Sequence, residues 1–190
     1  MTDMFPVLRV LGILLMIFSL SMGLPLAVSL WTRDGVWFVY PLSIAATMLA
    51  GAWLWWRLRL FRQELQPRHG VMLVSLVWAL LPLSAALPLM LAGHHTGHPL
   101  SFTHAYFEAV SGLTTTGSTV LAGLDALPVS VNVWRTFLQW MGGMGILILA
   151  VAVLPLLGVG GSQLFKAEAA GPLKDTKLTP RMTGTAKGLW

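Results

Sequence analysis

The stretch Tyr106–Leu121, YFEAVSGLTTTGSTVL, decides how the rest of the chain folds. Its hydroxyl-rich centre is too polar to face lipid, yet it lies between two apolar segments long enough to span a bilayer. The pattern predicts a short helix, Phe102–Leu113, that runs into the turn Thr114–Ser118. Non-helical backbone at membrane depth survives only where it lines a cavity or is buried in protein. The pattern therefore favours a re-entrant segment beside a pore over its alternative, an ordinary surface turn between two helices.

The turn after this short helix carries the oxygen atoms that a hard cation prefers. Thr114, Thr115, Thr116 and Gly117 offer closely spaced carbonyls and hydroxyls, all of them neutral donors. Gly117 permits a φ that a residue with a Cβ resists, so consecutive carbonyls can point to the same side. The helix C-terminus at Leu113 adds roughly half a negative charge. Carbonyls replace the ion's hydration shell in the potassium-channel filter TVGYG, and its Thr-x-Gly core occurs here. The four residues are therefore the predicted cation site.

The composition indicates an integral membrane protein. Of the 190 residues, 56% are hydrophobic and 10% are charged, whereas a soluble domain carries about 25% charged residues. Without cysteine, the chain has neither a disulfide framework nor a thiolate metal site. The net charge of +5 comes from basic residues at helix ends, which indicates membrane topology rather than nucleic-acid binding. The first apolar run is too long for a signal peptide and lacks an A-x-A cleavage site, so we interpret it as retained.

Four apolar runs predict membrane spans: Val7–Leu30, Val36–Trp56, Val71–Leu91 and Val131–Leu157. Pro25 is expected to kink the first span near its end. Pro82 and Pro88 lie inside the third span, where prolines are tolerated if neighbouring groups satisfy the freed carbonyls.

The basic residues predict the orientation of these spans. With the N-terminus inside, ten of the twelve Lys and Arg lie on the cytoplasmic side: Arg9, four arginines after the second span and five residues of the tail. The positive-inside rule therefore predicts a cytoplasmic N-terminus and places the mouth of the re-entrant segment outside. A full crossing by Phe102–Leu121 would put the basic tail outside. A dip that enters and leaves on the outer side is therefore favoured.

Two further features of the membrane segments suggest a role near the turn. Glu108, on the short helix, is expensive at membrane depth and is expected to be functional. It either hydrogen-bonds the back of the turn or adds negative potential there, unless it lies in a wet outer vestibule. Gly142, Gly143 and Gly145 lie in the middle of the last span, where small residues let helices approach closely. We expect them to pack against the short helix, with a hinge as the alternative.

Other motifs carry weaker indications. His94, His95 and His98 could bind a metal through a His-x-x-His spacing, but a solvated histidine loop is the favoured interpretation. The glycines of 158–161 resemble a phosphate loop only faintly, because no strand precedes them and the Walker lysine is missing. No catalytic motif or plausible pair of acids is found, so the chain is predicted not to be an enzyme.

Three segments in fixed order resemble a known family. FEAVSGLTTTGST, WRTFLQWMGGMGILILAVAVLPLLGVGG and KAEAAGPLKDTKLTPR are similar to the N-terminal part of the TrkH-type potassium uptake proteins, in the Trk/Ktr/HKT superfamily. The likeness is close from about Phe102 to the end and weaker before it. The series of filter, WMGGMG helix and GPLKD loop is more specific than the filter motif alone.

The resemblance implies an all-α integral membrane fold with a potassium-channel-like repeat. Residues 1–66 would be a leading pair of transmembrane helices, 67–160 the first of four repeats of helix, pore helix with filter and helix, and 161–190 a cytoplasmic loop before a missing next repeat. The potassium filter of the family carries over onto Thr115, Thr116 and Gly117, flanked by Thr114 and Ser118. K+ would be the transported ion.

The resemblance also implies surroundings and partners. The family resides as a multi-pass protein in the bacterial inner membrane, in contact with the lipid bilayer. It works with a cytosolic nucleotide-binding regulatory subunit, and a homodimer of the full-length protein is expected; nucleic acid is not a partner. Both channel-like transport and ion-coupled symport remain open.

One departure from the family is large. TTTG occurs once, and the chain stops at Trp190, where the next span would begin. We therefore expect an N-terminal portion of a potassium transporter that needs the remaining pore repeats. The alternative is a non-conducting membrane module, either truncated or accessory to another pore. Potassium flux through the purified chain in liposomes would separate the two.

Overall fold

Helices make up all the regular structure in a computed structural model of the chain that describes residues 4–59, 67–97 and 99–153. The helices are α1 (Phe5–Ser21), α2 (Gly23–Thr32), α3 (Val39–Leu58), α4 (Pro67–His95), α5 (Phe102–Leu113) and α6 (Val129–Val153), with a short 3-10 turn at Leu124–Ala126. No strand occurs in these ranges, so the predicted all-α fold is confirmed. The tail and its glycine-rich start at 158–161 lie outside the described residues. Residues 1–140 form one compact unit, and 141–190 form a second, described up to 153.

Three segments of the described chain are long and apolar enough to cross a membrane: Phe5–Thr32, Val39–Leu58 and His69–His95. They correspond to the first three predicted spans. The fourth prediction falls on α6, a helix of 25 residues. The predicted span Val131–Leu157 continues past the described residues, so its crossing of the membrane stays a prediction.

The re-entrant helix has the predicted bounds. α5 contains 12 residues, which corresponds to a length of roughly 18 Å. A bilayer's hydrocarbon core is about 30 Å thick, so α5 is too short to cross it.

The first span is interrupted where the sequence predicts a kink. α1 ends at Ser21 and α2 begins at Gly23. Pro25 has no N–H to donate to the carbonyl of Ser21, four residues earlier. The helix therefore breaks at Met22, between the two residues.

Side chains from other helices donate hydrogen bonds to backbone carbonyls of α4 near its two internal prolines, Pro82 and Pro88. The Tyr106 hydroxyl donates to the Ala79 carbonyl at 3.0 Å, and the Trp134 indole N–H donates to the Ala85 carbonyl at 3.0 Å. Each acceptor carbonyl lies three residues before a proline. The carbonyl one residue earlier is the one that loses its helical donor, because proline has no N–H. Neighbouring helices thus support α4 at both weak points, as membrane helices with prolines require.

The α2–α3 turn, the end of α4 and the start of α6 lie at one end of the fold, which we call the mouth end. The rings of Phe38 and His95 meet edge to face at 4.9 Å. The Ser130 amide in the first turn of α6 donates to Asp34 Oδ2 at 2.9 Å. The chain therefore enters and leaves the re-entrant segment at the same end, which agrees with the predicted dip.

The leading helices α1 and α3 approach each other at two glycines. A Cβ on Gly12 would lie 2.7 Å from the Gly51 carbonyl oxygen, and one on Gly51 would lie 2.6 Å from that of Gly12. Real Cβ atoms do not come so close to a backbone atom, so only glycine fits at this crossing. Small residues let the two backbones pack directly against each other.

Gly12→Ala is expected to lower the stability of the chain by about 1–3 kcal/mol, because the new methyl group must push two backbones apart. Gly23→Ala is the matched control, since a Cβ there meets no atom of the described residues within 4 Å. Thermal unfolding of the detergent-solubilised chain measures the difference. Equal melting temperatures for the two variants would contradict the close approach.

Candidate ion-selectivity filter

α5 is held at both its start and its end. At the start, the Ser101 hydroxyl accepts a hydrogen bond from the His104 amide at 3.2 Å, which is an N-cap. Near the end, a Cβ on Gly112 would lie 3.1 Å from Leu138 Cβ, so α5 presses closely on α6. The absence of a side chain at Gly112 thus fixes how closely the turn that follows α5 approaches α6.

The turn begins as a hydrogen-bonded helix cap. The Thr115 amide donates to the Gly112 carbonyl at 2.9 Å, and the Thr116 amide donates to the Ser111 carbonyl at 3.0 Å. These two bonds form a Schellman motif, in which the residue after the cap adopts left-handed backbone. That residue is Thr115, with φ of 57°. A β-branched residue is rare in this conformation, and the sequence interpretation did not anticipate it.

Gly117 is the second left-handed residue, with φ of 75°, as predicted for it. A Cβ on Gly117 would approach only the Gln139 side chain, at 4.0 Å. The space would admit a side chain, so the backbone conformation is what favours glycine here.

The backbone donors of the turn are used, whereas its acceptors are free. The amides of Thr114, Thr115, Thr116 and Gly117 all donate to carbonyls of α5, at 2.8 to 3.4 Å. Within the described residues, the carbonyls of the same four accept no hydrogen bond. All four residues are exposed. A surface with free acceptors and no free amide donors attracts cations rather than anions.

Side-chain hydroxyls hold the turn together. Thr114 Oγ1 donates to the Val110 carbonyl at 2.8 Å and lies 2.8 Å from Thr116 Oγ1. The Ser111 hydroxyl donates to the Ser118 carbonyl at 2.6 Å. The carbonyl of the flanking residue Ser118 is therefore occupied. The free carbonyls end at Gly117.

Glu108 fastens the segment that follows the turn. It is 4% exposed, and its Oε1 accepts hydrogen bonds from the Thr119 hydroxyl at 2.6 Å and the Val120 amide at 2.7 Å. Its Oε2 accepts a hydrogen bond from Arg135 Nε at 3.0 Å and lies 2.9 Å from Arg135 Nη2 in an ion pair. Glu108 therefore hydrogen-bonds residues just beyond the turn rather than the turn itself, and its burial contradicts the wet-vestibule alternative.

Arg135 completes this brace from α6. Besides the carboxylate, its Nη2 donates to Thr119 Oγ1 at 3.0 Å. Val120 and Leu121 of this segment also line an apolar cavity of about 720 Å³ that reaches Leu89 of α4. The segment is therefore held by Glu108 of α5 and Arg135 of α6.

The partnership of Glu108 and Arg135 was not predicted. In the sequence, Arg135 is only one of the two basic residues that the orientation argument leaves outside the cytoplasmic set. The available signal was a pair of opposite charges at membrane depth, which are usually paired when they are buried.

Two other predictions concern the histidine loop and the glycines of α6. Among the described residues, no group of three or more metal-ligating side chains comes together; His94 is exposed, His95 meets Phe38, and His98 lies outside the described residues. The predicted packing of Gly142, Gly143 and Gly145 against α5 stays a prediction.

The fold and the turn define a class of protein. It is an integral membrane protein in which a leading helix pair is followed by a helix, a half-length re-entrant helix that ends in a carbonyl-bearing turn, and another helix.

Comparison with known proteins narrows this class to a family. The family model "TrkH: Cation transport protein" matches residues 38–190. The Trk system potassium uptake protein TrkH of Halomonas elongata is 50% identical over 184 residues, covering 97% of this chain and 38% of the relative. The protein of that name from Escherichia coli K12 is 46% identical over 96% of this chain and 37% of its own length. The chain belongs to the TrkH family of cation transport proteins.

A solved structure agrees with that assignment. The crystal structure of the potassium transporter TrkH from Vibrio parahaemolyticus matches the fold with a TM-score of 0.79 at 40% identity. The match covers 98% of this chain and 36% of that one. The chain therefore spans little more than a third of the length of these relatives.

Glu108→Gln is expected to destabilise the chain by about 3 kcal/mol, because the amide leaves the buried Arg135 charge without its carboxylate. The amide nitrogen would also face donors rather than acceptors. Asp125→Asn is the matched control, since Asp125 is exposed and makes no hydrogen bond or ion pair within the described residues. Thermal unfolding in detergent compares the two variants. A melting temperature for Glu108→Gln as high as that of the control would mean that the brace contributes little.

Proposed function

We propose that this chain supplies the first pore repeat of a bacterial potassium uptake system, with K+ bound by the carbonyls of Thr114, Thr115, Thr116 and Gly117. The observation that carries the proposal is the asymmetry of the turn: its amides are bonded within α5 and its carbonyls are free. The relatives named as potassium uptake proteins support the choice of ion.

The chemistry of the turn suits an ion that must lose its water. Dehydration in an apolar medium without replacement ligands costs tens of kcal/mol, and closely spaced carbonyls replace the hydration shell. α5 ends at Leu113, so its dipole adds negative potential next to the carbonyls. Glu108 is neutralised by Arg135. Coordination therefore falls to neutral oxygens, and the carboxylate acts as a brace.

One repeat supplies only one wall of the pore. A potassium ion in a channel filter is ringed by four loops, and TTTG occurs once in this sequence. We therefore divide the chain into a leading helix pair, 1–66, a first repeat, 67–160, and a connecting loop, 161–190. The other walls would come from the part of the relatives that this chain does not span, which is about 62% of the Halomonas elongata protein.

The partners follow from the same proposal. The complete protein would assemble as a homodimer in the inner membrane with a cytosolic nucleotide-binding subunit. The support for these partners is the family resemblance, and they concern the whole transporter rather than this stretch.

Potassium uptake tests the function through Gly117→Ser, made in the complete transporter and expressed in cells without their own uptake systems. The added side chain opposes the left-handed backbone that orients the carbonyls. We expect potassium-dependent growth from the wild type, and a lower preference of K+ over Na+ in the variant. Unchanged preference at normal expression would place the filter elsewhere.

The same assay separates the alternative role. The 190 residues alone are expected not to support growth. Growth by the short chain running as a monomer would refute the requirement for further repeats. Absence of uptake by the complete transporter would favour a non-conducting module.

We propose that the N-terminus is cytoplasmic and that the mouth end faces outside. Arg9, Arg57 and Arg59 lie away from the mouth end, near the start of α1 and the end of α3, which agrees with the positive-inside rule.

Cysteine labelling tests this orientation on a background without native cysteine. His94→Cys and Arg57→Cys both introduce a thiol at an exposed position, one at each end of the fold. A membrane-impermeant maleimide should label only His94→Cys in intact cells and both variants after permeabilisation. Labelling of Arg57→Cys alone in intact cells would reverse the topology.

A further inference from the structure

The α2–α3 turn caps a helix of the pore repeat. The Ser130 amide, in the first turn of α6, donates to Asp34 Oδ2 at 2.9 Å across 96 residues of sequence. Pro128, just before α6, has no side-chain acceptor for that amide. Asp34 is itself held by the Ser29 hydroxyl and by the Val36 amide, at 3.3 Å, on Oδ1. The leading helix pair thus provides the N-terminal cap that α6 lacks locally.

A second contact joins the leading pair to the next turn of α6. The Phe18 ring of α1 packs on Trp134 with ring centroids 5.9 Å apart. Trp134 is fully buried, and its indole N–H also bonds the Ala85 carbonyl of α4. α6 is therefore fixed by the leading pair at two successive turns.

The same turns of α6 hold the filter. Arg135 follows Trp134 and binds Glu108. Leu138, almost one turn further on, lies against Gly112 of α5. Because these residues belong to one rigid helix, a shift of its first turn moves Arg135 relative to Glu108.

We propose that Asp34 is a positioning residue for ion selectivity: its carboxylate caps α6 and so sets the register in which Arg135 meets Glu108 behind the filter. This inference rests on the proposed function. A carboxylate at a helix N-terminus is favoured by its hydrogen bond and by the helix dipole.

The protonation state of Asp34 suits this role. Burial raises the pKa of its carboxyl, but hydrogen bonds from Ser130, Ser29 and Val36 outweigh burial and hold that pKa below its usual value. The charged cap is therefore present at neutral pH and would be lost only as the pH falls below the ordinary range of an aspartate.

The test compares Asp34→Ala with Asp34→Asn in the complete transporter, with uptake of K+ and Na+ measured at matched membrane levels. Asp34→Ala removes the acceptor and is expected to lower the preference for K+ over Na+ by about fivefold. This factor is the change in an equilibrium constant that corresponds to the typical free-energy cost of losing one helix cap. Asp34→Asn keeps an acceptor oxygen and should retain most of the preference. Asp125→Ala removes an exposed carboxylate without touching α6 and should change nothing.

A coupling measurement shows whether Asp34 acts through the brace. In an Arg135→Lys background, Asp34→Ala should cost less selectivity than it does in the wild type, since residues in one network are not additive. Full additivity would overturn the proposed route.

The remaining outcomes are also decisive. Unchanged selectivity in Asp34→Ala, or an equal loss in Asp125→Ala, would overturn the inference. If Asp34→Ala does not reach the membrane, Ser29→Ala decides, because it frees the carboxylate without removing it: lowered selectivity supports the inference and unchanged selectivity refutes it. A wild-type transporter that takes up no potassium would refute the proposed function instead.

Discussion

A polar backbone group at membrane depth must find a partner inside the protein, and this constraint shapes the turn after α5. The amides of Thr114 to Gly117 return to carbonyls of α5, and the Ser118 carbonyl is taken by Ser111. The four carbonyls between them are the exception among the groups described. An unsatisfied backbone group in an apolar medium costs several kcal/mol. Their arrangement is therefore stable only beside water or an ion, which links the fold of this turn to its chemistry.

The buried ion pair holds the segment that follows the turn, which the hydrogen bonds within the turn do not reach. Glu108 and Arg135 use both carboxylate oxygens, and the hydroxyl and amide beyond the turn complete their hydrogen bonds. Such a pair is not a reliable source of stability, because desolvation offsets much of its Coulomb energy. Its geometric value is greater, because it ties the segment after the turn to α5 and α6 at once. The paired charges also leave no net charge next to the turn.

Local signals in the sequence predicted the parts of this fold that local chemistry decides. The bounds of α5 are those predicted from the hydroxyl run after Leu113, and Gly117 has the left-handed backbone expected of it. Contacts between distant residues were missed. Gly12 and Gly51 are isolated glycines in separate helices, and only their crossing gives them a role. The cap that Asp34 gives to α6 likewise has no signal within α6 itself.

Thr115 departs from the usual preference for glycine at the left-handed position that ends a helix. Left-handed backbone at the end of a helix is usually glycine, because a side chain there costs roughly 1–2 kcal/mol. Thr115 bears that cost at φ of 57°, two residues before Gly117, whose φ is 75°. A glycine at both positions would remove the strain, but it would also give the carbonyls many more orientations, since glycine is the least restricted residue. The surrounding bonds of Thr114, Thr116 and Ser111 hold Thr115 in its strained state. Backbone strain that neighbouring contacts maintain in this way is commonly found at sites that bind ligands.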